Sequence, residues 1–176
     1  MNIQREAIYT KRNNALSGDR LAVDINTMFT SLTESLVIGH RQNGSYETFR
    51  EASLKYAGID PEITKDEFDN GNEDNLIDRF ETQFLNFYHD KNTKIAEYIM
   101  PFIRNVHENQ ANQYKRVSIP FATGLSKGMN VSADIADAMA TDGKSISRDI
   151  EKAIALSVID EEWKEHLRSM LSLIHI

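Results

Sequence analysis

The sequence predicts a mainly α fold, in which two long helices bracket a compact middle region of shorter helices with one candidate short β-hairpin. Three observations carry that prediction. Apolar residues recur at three- and four-residue steps over most of the 176 residues, the period of a helix with one buried face. Only 8 Gly and 3 Pro punctuate the chain, too few for a collagen-like, turn-repeat or low-complexity architecture. One short stretch, 116–121, alternates apolar and polar residues instead, which is the period of a strand.

The first forty residues read as one long helix. Ile3, Ala7 and Ile8, then Leu21, Ile25, Met28, Leu32 and Leu36, keep helical spacing, and no proline interrupts them. Gly18 is the weak point, costing roughly 1 kcal/mol against alanine in a helix interior. A helix of ~40 residues extends about 60 Å, more than a small globule needs, so it reads as a strut. Gln42-Asn43-Gly44-Ser45 is a turn. A shorter helix follows with Tyr46, Phe49, Leu54 and Tyr56 as its apolar side, and Gly58-Ile59-Asp60-Pro61 stops it. The acidic stretch from Asp66 to Asp74 reads as a solvated linker.

From Asn75 to about His89, the steps Ile77, Phe80, Phe84 and Tyr88 predict an amphipathic helix. The pattern resumes at Ile95, Ile99, Phe102 and Val106 after Asp90-Lys91-Asn92, and Pro101 predicts a kink or a split in that run. Residues 116–121 and 128–131 predict the hairpin, with Pro120 confined to a sheet edge. Ser132 is a candidate cap for a helix to Ala140, ended by Asp142-Gly143. The last helix starts near Ser145. Ile146, Ile150 and Ile154 form one stripe; Leu156, Ile159, Trp163, Leu167 and Met170 form a second, slightly rotated one.

Composition narrows the function classes. The 40% hydrophobic share supports the core of one or two small domains. With 20 Lys+Arg against 27 Asp+Glu, the net charge of −7 argues against a nucleic-acid binder that works by neutralising phosphates and does not suggest a polybasic membrane anchor. The lack of cysteine excludes disulfides, thiolate chemistry and Cys-ligated zinc. No apolar run approaches the ~18 residues of a membrane span, and Met1–Glu6 lacks the apolar core of a secretory signal. Together these predict a reducing, cytosolic compartment.

Chemistry-bearing motifs are few. Gly124-Leu125-Ser126-Lys127-Gly128 has the wrong glycine spacing for a phosphate loop and no Ser or Thr after its lysine. Placing Gly71 at the sixth position of a calcium loop puts Phe68 third and Ile77 twelfth, and neither ligates. None of the five histidines has His-Glu-x-x-His spacing. Glu162 and His166, four apart on one helix, are either a weak metal pair or a surface hydrogen bond. The residues therefore predict no catalytic, cofactor-binding or metal site in this chain.

Two stretches are more specific. The first is Gln4-Arg5-Glu6-Ala7-Ile8-Tyr9-Thr10-Lys11-Arg12-Asn13, with Ala15-Leu16 and Gly18-Asp19-Arg20-Leu21 after it; the second runs from Ile159-Asp160 through Trp163-Lys164-Glu165-His166-Leu167 to Met170. The first resembles the long scaffold helix of the SecA family, the ATP-driven motor of bacterial preprotein translocation. The second resembles the first helix of that family's two-helix finger. Between them, Tyr114–Phe121 and its surroundings resemble the wing domain of one branch of the family. The order scaffold helix, wing, finger helix is kept over about residues 2–170.

The resemblance implies residues 1–43 as scaffold helix, 44–143 as wing and 144–170 as second scaffold or finger helix, with 171–176 a non-native tail. It implies that both nucleotide-binding domains, with their ATP and magnesium, lie upstream of Met1. The implied partners are those ATPase domains, the membrane channel and preprotein substrates, at the inner face of the bacterial plasma membrane. Arg5, Tyr9, Arg12 and Asn13 would couple the scaffold helix to the motor domains, or else only solubilise and pack the strut. Trp163 and Leu167 would pack the finger helix. The isolated piece would self-associate through its uncovered apolar stripe. The alternative is an autonomous helical interaction module.

Overall fold

The computed structural model describes residues 2–18, 20–110, 113–122 and 128–174, with backbone alone at 2, 3, 110 and 171–174. In order the elements are α1 (Asn2–Ser17), α2 (Leu21–Asn43), α3 (Tyr46–Ala52), a π-helical turn (Ser53–Ala57), α4 (Lys65–Asn70), α5 (Glu73–Gln110), β1 (Arg116–Ala122), β2 (Gly128–Asp134), α6 (Ile135–Ala140) and α7 (Lys144–Ile174). The fold is mainly α with a two-stranded antiparallel sheet. Two compact units divide the chain: residues 22–91, and residues 1–21 with 92–176.

The expected forty-residue strut is two helices. Gly18 takes φ +78°, and its N–H donates to the Asn14 carbonyl at 3.0 Å, closing α1 as a glycine after a helix end does. A left-handed backbone ends helical hydrogen bonding, so the apolar spacing continues past a break that it does not register.

In the 22–91 unit the core is aromatic. Phe49 stacks on Phe68 with centroids 4.7 Å apart and meets Phe80 edge-on at 5.2 Å. Phe29 meets Phe84 edge-on at 4.7 Å. Such pairs add about 0.5–1.5 kcal/mol each beyond the area they bury.

Two expectations fail here. Leu54 and Tyr56 are exposed, because the π turn shifts the phase and turns Ser53 and Ala57 inward instead. The acidic "linker" contains α4, with Phe68 only 2% exposed. Thr64 caps α4: its side chain accepts from the Glu67 amide while the Glu67 carboxylate accepts from the Thr64 amide at 2.8 Å. A capping box fixes the turn, and the single apolar residue that it aims at the core is enough to seat it.

The other unit gathers around β1 and β2. Val117, Ile119, Val131 and Ala133 face inward, and the register pairs Ile119 with Val131 and Pro120 with Asn130. Ile103 of α5 with Ile146 and Ile150 of α7 completes this core.

α5 runs unbroken through both 90–92 and Pro101, so the expected split does not occur. Phe102 turns out to solvent and Ile103 takes the buried position. The cap of α6 is Asp134, whose Oδ1 accepts from the Ala136 and Asp137 amides; Ser132 lies within β2. Gly143 has φ +85°, and a Cβ there would lie 2.9 Å from Ala96 Cβ, so both conformation and space demand glycine. The backbone of α7 continues through Ile174.

Candidate functional site

α1 lies against α7, which brings together the two segments singled out in the sequence. Arg5, Tyr9, Arg12 and Asn13 fall on one arc of α1, four- and three-residue steps apart. Arg12 lies at the edge of that arc, beside half-buried Ile8 and buried Ala15. Its Nε donates to Asp160 Oδ1 of α7 at 3.0 Å. Arg5, Tyr9 and Asn13 point to solvent, and Tyr9 is 57% exposed. One face of α1 is thus held by α7 while the adjacent face offers a cation, a phenol and an amide.

On α7, Trp163 is half-buried, and its ring stacks on that of His166 with centroids 5.4 Å apart; Leu167 is exposed. The stacking occupies the face of the His166 ring that turns to Trp163. Among the described residues, no group of three or more His, Asp or Glu gathers as a metal site. Among the described residues, no helix is long and apolar enough to cross a membrane. Of the rejected phosphate-loop candidate, residues 124–127 lie outside the described residues and Gly128 opens β2.

Sequence reasoning missed a cleft of about 720 Å³ within the 22–91 unit, between the 58–63 loop and one face of α5. The loop wall is pinned. Gln83 Nε2 donates to the Asp60 carbonyl at 2.8 Å, and Gln83 Oε1 accepts from the Glu62 amide at 3.0 Å. Arg79 donates to the Glu62 carbonyl at 3.3 Å and to Glu67 Oε1 at 2.7 Å. Arg50 holds Asp60 in a bidentate pair, Nε donating to Oδ1 and Nη2 to Oδ2, and Tyr46 Oη donates to the Ile63 carbonyl at 2.8 Å.

These contacts depress the carboxylates involved. Hydrogen bonding from Arg79, then from the Thr64 amide and hydroxyl, brings Glu67 down to about 2. Arg50 lowers Asp60. No local motif announces such a cleft, since the bonds that pin its walls together span 17 and 23 residues of sequence.

A family model described as SecA Wing and Scaffold domain matches residues 1–175. Among curated proteins, the chain is 35% identical over 170 residues to the protein translocase subunit SecA of Flavobacterium psychrophilum, covering 97% of this chain and 15% of that protein. It is also 35% identical over 170 residues to that of Porphyromonas gingivalis, with the same coverage. To that of Bacteroides fragilis it is 34% identical over 176 residues, covering 99% of this chain and 15% of the relative. No solved structure matches.

Proposed function

The chain belongs to the SecA wing and scaffold domain family, and from that membership we propose that it is the mechanical scaffold of a preprotein translocase motor. In this reading α1 and α2 supply the scaffold stretch 1–43, residues 44–143 the wing, and α7 the finger helix. The chain spans about 15% of the length of the curated relatives that it matches. ATP and magnesium are therefore assigned to other domains of such a motor, and this chain's part is to pass their motion to the preprotein and the membrane channel. It would work at the cytoplasmic face of the bacterial plasma membrane.

The observation that carries the reading is the pairing of α1 with α7. Two motif-bearing helices lie side by side, bridged by Arg12 and Asp160, and leave Arg5, Tyr9 and Asn13 open to a partner. Two packed helices resist bending better than one, as a transmitting element requires.

The test replaces the matching segment of the Flavobacterium psychrophilum relative with residues 1–170. ATP hydrolysis and ATP-dependent uptake of a preprotein into membrane vesicles are then measured together. Transport by the chimera is the expected result, with Arg5→Glu plus Tyr9→Ala leaving hydrolysis in place and cutting transport. Transport indifferent to that pair removes the coupling role.

A second reading, the autonomous interaction module, is favoured by Tyr98 and Phe102. These stand 87% and 57% exposed one turn apart on α5, as an apolar docking face would. Genomic sequence across both ends of the frame separates the two readings. Coding that continues upstream into ATPase domains supports the motor.

A further inference from the structure

Among the described residues the sheet has only β1 and β2, so each strand has one outer edge, and the register fixes what stands there. Lys115 and Ile135 continue the pairing of Arg116 with Asp134, and the Ile135 N–H donates to the Lys115 carbonyl at 3.0 Å. Opposite residues of an antiparallel ladder alternate between pairs that exchange hydrogen bonds and pairs that do not. The odd-numbered residues therefore bond across the hairpin, and the even-numbered ones turn their backbone groups outward. On β1 these are Arg116, Ser118, Pro120 and Ala122; on β2 they include Asn130 and Ser132.

An outward row of N–H and C=O groups is a template for another strand. Both rows are interrupted. Pro120 has no N–H to offer on β1. On β2 the interruption comes from the opposite strand: Arg116 Nε donates to Ser132 Oγ and Arg116 Nη2 to the Ser132 carbonyl, each at 2.8 Å. Val131 and Ala133 turn into the core with Ile146 and Ile150 of α7, whereas Asn130 and Ser132 are exposed. Arg116 thus covers an acceptor on the side of β2 that turns away from the core.

What it covers is self-complementary. Two copies of β2 set antiparallel about Val131 pair Asn130 of each with Ser132 of the other, and both are outward residues. In each such pair the Asn130 N–H must donate to the Ser132 carbonyl, the atom that Arg116 holds.

We infer that Arg116 is a guard that keeps the outer edge of β2 closed to a second copy of this chain. Removing its guanidinium frees the Ser132 carbonyl, and the β2 strands of two copies join in one antiparallel sheet. The inference rests on the hairpin alone and does not depend on the motor reading.

The test uses the full chain. Sedimentation velocity over a concentration series gives the strength of self-association, and amide exchange resolved by residue gives its place. Arg116→Ala should self-associate about tenfold more tightly than the parent, as two regained hydrogen bonds allow, with the Asn130 amide gaining protection as concentration rises. Adding Asn130→Pro to that variant should cancel the gain, because it removes the donor. The N–H it removes points outward, so the hairpin ladder is kept, and Asn130→Pro alone should associate as the parent does. Arg116 is exposed, so the circular dichroism of Arg116→Ala should match the parent; if it does not, Arg116→Gln, with a shorter side chain, takes its place. Association unchanged on removing the guanidinium, a gain without protection at Asn130, or a gain that survives Asn130→Pro overturns the inference.

Discussion

Arg12 and Asp160 are 148 residues apart in sequence, yet Arg12 Nε donates to Asp160 Oδ1 at 3.0 Å across the paired helices α1 and α7. Each side chain keeps about two-fifths of its surface in water. The pair therefore fixes how the helices meet more than it stabilises them. A double-mutant cycle with Arg12→Ala and Asp160→Ala should give a coupling of about 0.5 kcal/mol, as exposed ion pairs do, falling as salt is raised. Chemical denaturation of the four proteins measures it.

Phe68 is the side chain that turns an acidic stretch into structure. It is fully enclosed and stacked on Phe49, so Phe68→Ala removes a buried ring and leaves a cavity. The expected loss is about 3–5 kcal/mol. Loss of protection in amide exchange across 22–91 would report it. A solvated linker would show no change.

Gly143 meets two constraints at once, a left-handed backbone and the side chains of Ala96 and Met100. Gly143→Ala should cost about 1–3 kcal/mol. Gly18 shares the positive φ, but among the described residues a Cβ there meets nothing within 4 Å. Gly18→Ala should therefore cost less, and comparison of the two melting temperatures separates strain from crowding.

Glu67 predicts the direction of acid sensitivity. Its folded-state value of about 2 lies below its ordinary 4.5, through Arg79 first and the Thr64 cap second. The stabilisation it provides is complete above about pH 4.5 and is lost as the pH falls toward 2. Glu67→Gln should lower stability near neutrality and flatten the acid limb between those limits. Melting temperature measured against pH for both proteins tests this.

Tyr9 stands mostly in solvent, so Tyr9→Ala should change stability by no more than about 0.5 kcal/mol. A larger loss in thermal melting would mean that Tyr9 packs the strut and would count against its reading as an open contact.

Much of this was legible from spacing. Ile77, Phe80 and Phe84 mark the inner face of α5, and Ile146 and Ile150 that of α7, because helical periodicity is a local property that burial follows. The alternation at 116–121 likewise marked β1. The two family motifs were legible as linear patterns, which is why the family was apparent from the sequence.

The remainder depended on contacts distant in sequence or on single backbone angles. Gly18 sits inside an apolar rhythm that continues on both sides, and only its positive φ divides the strut. The π turn at 53–57 shifts the phase by an amount that no residue type announces, which exposed Leu54 and Tyr56. Pro101 carries a breaking signal that the packed helix around it overrides. Sequence by itself determined the helical class, the inward faces of β1 and of the first half of α5, and the family. Tertiary structure decided where the long helices break, that Arg12 meets Asp160, and that Gln83 and Arg79 pin a loop into the wall of a cleft. Helical period is set by neighbours four residues away, whereas those features require segments that only folding brings together.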